Sequence, residues 1–66
     1  MEVKHPNVTV ALVGQDGNAF SVMGLVARAM RKAGLPKSDI EAYQKEAMAG
    51  DYDHLLQVTM QTVNVE

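Results

Sequence analysis

Two short stretches carry side chains whose types and spacing could do chemistry. The first is Asp51-Tyr52-Asp53-His54, two carboxylates and an imidazole within four residues. That is the material of a divalent-metal site or of half an acid–base pair. On a helix, residues one or two apart face different ways, so only Asp51 and His54, three apart, can share a face. Two ligands fall short of the four that zinc usually takes. Asp16 could supply a third if its turn lay nearby, and the other histidine, His5, sits close to the N-terminus. The simpler reading is a helix cap at Asp51, a first-turn acid at Asp53 favoured by the helix dipole, and a surface histidine. The second stretch is Gly14-Gln15-Asp16-Gly17-Asn18, which could offer backbone amides to a phosphate if it joined a strand to a helix. It matches no phosphate-loop pattern, and Asp16 would repel an anion, so a structural turn is expected.

The rest of the composition narrows the chemistry further. There is no cysteine among the 66 residues, hence no thiolate nucleophile, no thiolate zinc site and no disulfide. Ser21 and Ser38 have structural roles, Thr9, Thr59 and Thr62 fall inside regular elements, and a chain this short has little room for a substrate pocket. We therefore expect no enzyme, no cofactor and no bound metal. The apolar runs are too short to span a membrane, and the N-terminus lacks the apolar core of a secretory signal, so a cytoplasmic protein is expected. The length suits one small domain, residues 1–66, with 1–6 frayed. The net charge of −2 argues against nucleic acid as the partner, because phosphate neutralisation drives that binding. The charges are nevertheless segregated. Arg28, Arg31 and Lys32 lie within five residues and Lys37 follows, whereas Glu46 to Glu66 holds four acids and no Lys or Arg.

These side chains must be positioned by the elements that the pattern implies. Val8, Val10 and Leu12 alternate with Thr9, Ala11 and Val13, which predicts a strand over Asn7–Gly14. Asn18 is a good N-cap for a helix over Ala19–Ala33. Its polar positions, Ser21, Gly24, Arg28, Arg31 and Lys32, fall in one arc of roughly 100°. The remainder is apolar, so the helix is expected at the centre of the fold, packed on two sides. Gly34 supplies a left-handed C-cap, and Pro36 stops the helix. Ser38-Asp39-Ile40-Glu41 fits a capping box for a second helix, Asp39–Ala49, with Ile40, Tyr43, Ala47 and Met48 inward. Asp51 caps a third helix, to about Gln61, with Leu55, Leu56, Thr59, Met60 and Val63 at helical spacing. A short strand over Thr62–Val65 closes the chain. Met23, Met30, Met48 and Met60 all fall at inward or semi-inward positions and are read as core fillers. The fold class is α+β: a three-helix core with the two terminal strands paired as a ribbon, in a direction the pattern leaves open.

Ala29, Gly34 and Ile40 have roughly the spacing of a helix-turn-helix. The would-be recognition helix, Ser38 to Glu46, carries three acids and one lysine, which the DNA groove would repel. The helical part from Met30 to Met60 resembles the ubiquitin-associated fold and its relative in the N-terminal region of elongation factor Ts. The resemblance rests on Ala33-Gly34-Leu35 as the loop after the first helix, Ile40, Tyr43 and Ala47 as the second helix's core, and Gly50-Asp51 with Leu55 and Leu56 at the start of the third. Ala33-Gly34-Leu35 stands where ubiquitin binders typically have Met-Gly-Phe. The whole chain also looks like small bacterial or phage proteins. What the first resemblance implies is a three-helix scaffold for binding protein. The expected function is thus a non-catalytic protein-interaction or adaptor module, monomeric or weakly dimeric, whose partner the sequence leaves unnamed. Its candidate surface is Arg28, Arg31, Lys32, Tyr43, Tyr52 and His54. The alternative is weak nucleic-acid binding through Arg28, Arg31 and Lys32.

Overall fold

The computed structural model describes residues 3–12 and 17–66. Val13, Gly14, Gln15 and Asp16, which hold the end of the expected strand and most of the glycine turn, lie outside the described residues, as do Met1 and Glu2. The order is β1 (His5–Val10), α1 (Ala19–Lys32), α2 (Lys37–Ala47), α3 (Tyr52–Thr62) and β2 (Val63–Val65). This is the expected α+β arrangement of three helices and a terminal ribbon. β1 and β2 form a two-stranded parallel sheet.

The ribbon is irregular for a local reason. His5 pairs with Val63, but Thr9 pairs with the next residue, Asn64, so β1 carries extra residues at this point. Pro6 lies within the irregular stretch and has no N–H to give to a ladder. Its carbonyl is taken instead by the side-chain amide of Asn64, at 2.6 Å. Backbone bonds flank the irregularity, from Lys4 N–H to Gln61 O at 2.9 Å and from Glu66 N–H to Val10 O at 2.9 Å. The expectation that residues 1–6 fray is therefore corrected for His5 and Pro6, which belong to β1.

The caps set the helix ends. Asn18 Oδ1 accepts from Ser21 N–H at 2.9 Å, as expected of an N-cap. At the other end of α1, Gly34 has φ +85°. Its N–H bonds Arg31 O, and the Leu35 N–H bonds Met30 O, the pair of bonds that defines a Schellman turn. The capping box at Ser38 does not form. α2 starts earlier, at Lys37, with Pro36 as its N-cap residue and no side-chain cap. The Pro36 carbonyl takes the N–H of Asp39 and of Ile40, so the ring that stops one helix starts the next. α3 opens on Asp51, whose Oδ1 accepts from His54 N–H at 2.9 Å.

One buried cluster joins the elements. α1 contributes Val22, Met23, Val26, Ala27 and Met30, α2 contributes Ile40, Tyr43 and Ala47, and α3 contributes Leu55 and Val58; Val8, Val10 and Val63 come from the strands. α1 touches β1, α2 and α3, the central position its wide apolar arc requires. Two methionines depart from expectation: Met48 is 60% exposed and Met60 55%. Met48 is the C-cap residue of α2, past the helix's inward stripe. The buried stripe of α3 is Leu55, Val58, Thr59 and Thr62, and Met60 points about 100° away from Thr59. No helix among the described residues is long and apolar enough to cross a membrane.

Two glycines respond oppositely to a methyl group. Gly24 lies mid-helix, and a Cβ there would meet nothing within 4 Å. Gly24→Ala is expected to raise unfolding stability by ~0.5–1 kcal/mol. Gly34→Ala, forced into a left-handed conformation, is expected to lower it by ~1–2 kcal/mol. Urea titrations of both variants check the pair; a destabilising Gly24→Ala would contradict the open helix face.

Candidate functional site

The sequence-derived candidates separate into two groups. Tyr43 is not a surface residue: it is only 3% exposed, and this corrects its place in the candidate surface. Its ring fills the space between α2 and α3, and its hydroxyl lies 2.8 Å from Thr59 Oγ1. Thr59 Oγ1 in turn donates to Leu55 O at 2.8 Å. Because Thr59 has one hydroxyl proton, Tyr43 must be the donor between the two. The result is a short buried chain, Tyr43 to Thr59 to Leu55, in which each member has a partner. Burial pushes the Tyr43 phenol above its ordinary value of 10.0. A bond from Thr59 to the phenolate would oppose this, but only by turning the Thr59 proton away from Leu55 O.

Tyr52 and His54 are tied down at the start of α3. The Tyr52 hydroxyl donates to Gly17 O, which anchors the residue before α1's cap onto α3. His54 Nε2 lies 2.9 Å from Glu46 O and 3.8 Å from the Glu46 carboxylate. A Cβ on Gly50 would come within 2.8 Å of His54 Cβ and Cγ, so the glycine is what lets the imidazole lie against the α2–α3 turn. Asp51 and His54 thus act as a cap and a brace. Among the described residues, no three His, Asp or Glu side chains converge as metal ligands.

A cleft of about 400 Å³ opens beside Tyr43, with Lys4, His5, Asp39, Glu46 and Thr62 on its walls. Its hydroxyls are already committed, Thr62 Oγ1 to Val58 O at 2.7 Å and Tyr43 to Thr59. Among the described residues on its walls, neither hydroxyl bonds a His, Asp or Glu side chain. It offers charges of both signs to solvent.

Arg28, Arg31 and Lys32 are exposed as expected, while Met23, Val26, Ala27 and Met30 are buried. None of the three cations forms an ion pair among the described residues; the pairs there are Lys37–Glu41 and His54–Glu46. The sequence reading missed a further member of this face. Phe20 is 81% exposed. At about 100° per residue it lies only about 20° around α1 from Arg31 and about 40° from Gly24. Its angle, not its side-chain type, carried the signal. The outer face of α1 thus runs from an exposed ring, past a bare stretch of backbone at Gly24, to three unpaired cations. Compared with known proteins, the chain matches no family model, no curated protein and no solved structure.

The buried hydroxyl chain has an asymmetric mutational signature. Tyr43→Phe leaves Thr59 bonded to Leu55 O and is expected to cost ~0.5–1.5 kcal/mol. Thr59→Val strands the buried phenol and is expected to cost more, ~1–3 kcal/mol. A phenol whose folded pKa exceeds its unfolded value stays protonated longer in the folded state. The unfolded state then holds fewer protons above pH 10, so stability falls with rising pH there. Tyr43→Phe should flatten that alkaline decline in pH-dependent urea unfolding; an unchanged decline would contradict the assignment.

Proposed function

We propose that the protein is a non-catalytic protein-interaction module whose docking surface is the outer face of α1. The observation that carries this reading is Phe20, a large ring left 81% exposed on the same face as the open backbone of Gly24. Fully burying such a side chain is worth ~1.5–3 kcal/mol. A glycine in an exposed helix interior forgoes up to ~1 kcal/mol against alanine. Nothing within the described residues uses either feature. An apolar ring beside bare backbone suits a partner that approaches the helix closely. Arg28, Arg31 and Lys32 on the same face favour an acidic partner, since complementary charge sets register and speeds encounter. The resemblance to the ubiquitin-associated scaffold points the same way, because that scaffold implies protein binding. The absence of cysteine suits a reducing compartment such as the cytoplasm.

The second reading places nucleic acid on the same three cations, which are unpaired among the described residues. It is disfavoured by the net charge of −2 and by the acids of α2. A fluorescence-anisotropy titration against duplex and single-stranded oligonucleotides at two salt concentrations separates the readings. We expect no binding at about 150 mM salt, where the Debye length is ~8 Å. Submicromolar binding that weakens steeply with salt, by about 0.9 log units per neutralised duplex phosphate and decade of salt, and that is lost in Arg28→Ala/Arg31→Ala, would overturn the protein-binding reading.

A further inference from the structure

The two-stranded ribbon uses only one edge of β1. Val10 O takes the Glu66 N–H at 2.9 Å, and Leu12 N–H reaches Glu66 O at 3.1 Å, so the backbone groups of Val10 and Leu12 face β2. Alternation along the strand turns those of Thr9 and Ala11 to the opposite edge. Both residues are exposed, and among the described residues no backbone group outside the ribbon bonds them. Such an edge is a template for a further strand. A groove of about 220 Å³ lies between β1 and the C-terminal end of α1, with Asn7, Val8 and Thr9 on one wall and Ala29, Lys32 and Ala33 on the other. Ala29 and Ala33, four residues apart on one face of the helix, keep the helical wall low. Neither wall carries an acid, and Lys32 belongs to neither ion pair among the described residues.

We propose that this groove takes an extended peptide carrying an acidic side chain, which adds to β1 as a third strand. The peptide backbone pairs with the N–H and C=O groups of Thr9 and Ala11, the mode in which main-chain bonds give affinity and alternate side chains give specificity. Side chains on one side of the added strand settle over Ala29 and Ala33, and the acid meets Lys32. Charge decides against a second copy as the occupant. From Lys4 to Leu12 the chain holds no Asp or Glu, so β1 laid against β1 brings nothing to offset Lys32. Pro6 has no N–H to offer, which ends the usable edge at Asn7. The contact therefore spans about six residues, the length of an ordinary strand, and binding is weak. The site is separate from the Phe20 face, since Ala29 lies about 180° around α1 from Phe20, and it does not rest on reading that face as a docking surface.

An NMR titration of the intact, isotopically labelled chain with the capped peptide acetyl-Ser-Thr-Val-Glu-Val-Thr-Ser-amide tests this, at about 20 mM salt and up to about 2 mM peptide, the range of a weak complex. The expected result is saturable shifts at the amides of Thr9 and Ala11 and at Ala29, Lys32 and Ala33. Two analogues, N-methylated at alternate amides so that each blocks one edge of the peptide, should differ: one loses binding and the other keeps it. Lys32→Glu changes an exposed position, and circular dichroism confirms that it folds. It should weaken the peptide about 5-fold, the upper range for an exposed pair, and should favour the same peptide with Lys in place of Glu. No shift at Thr9 and Ala11, the two analogues behaving alike, or Lys32→Glu binding both peptides equally would overturn the proposal. Shifts along β1 that follow protein concentration without peptide would overturn it in favour of a second copy. Any of these results leaves the reading of the outer face of α1 standing, because that reading falls to the oligonucleotide titration.

Discussion

The pairing of the first strand with the last is the constraint on which the rest of the structure depends. Two strands on their own are marginal in water, and a parallel pair cannot close without a long crossover. Here the crossover is the entire helical part of the chain. Val8, Val10 and Val63 bring the buried face of the ribbon into the same cluster as Val26, Met30 and Leu55. The core is therefore complete only when the two ends of the sequence meet. The side chain of Asn64, holding the carbonyl of Pro6, keeps that closure intact where the backbone ladder fails.

Given that closure, the helices are fixed at their ends more than along their lengths. Asn18, Gly34, Pro36 and Asp51 mark where each begins or stops, and Tyr52 and His54 tie neighbouring ends together. The ion pair within α2, Lys37 with Glu41, is 88% and 63% exposed and adds little under such screening. With the ends held by caps and the inner faces by apolar burial, the outer face of α1 is left without a structural task. Phe20 and Gly24 forgo stability there, and so the functional reading concentrates on that face.

Much of this was legible from residue types and spacing. The alternation in β1, the cap at Asn18, the left-handed glycine at 34 and the inward set of α1 follow from short-range rules. The direction of the ribbon, parallel, had no signal in the pattern. What failed was long-range or positional. Tyr43 combined an inward helical position with a polar tip, and only the partner hydroxyl of Thr59, sixteen residues away, decides that the tip is buried. Ser38 looked like a cap because the box pattern is local, yet the rigid ring of Pro36 had already started the helix. Phe20 fell with the apolar remainder of α1 by its chemistry, although its angle beside that of Arg31 placed it outside. The cleft near Lys4 and His5 depends on the ribbon closing and had no sequence signal.

The central claim is that the fold leaves the outer face of α1, from Phe20 past Gly24 to Arg31, open to solvent. Signal loss at individual side-chain and backbone protons on adding a soluble nitroxide to the isotopically labelled protein tests it residue by residue. The account predicts strong loss at Phe20, Gly24, Arg28 and Arg31, with Val22, Val26 and Met30 spared. Phe20 and Gly24 protected as fully as Val26 and Met30 would contradict it.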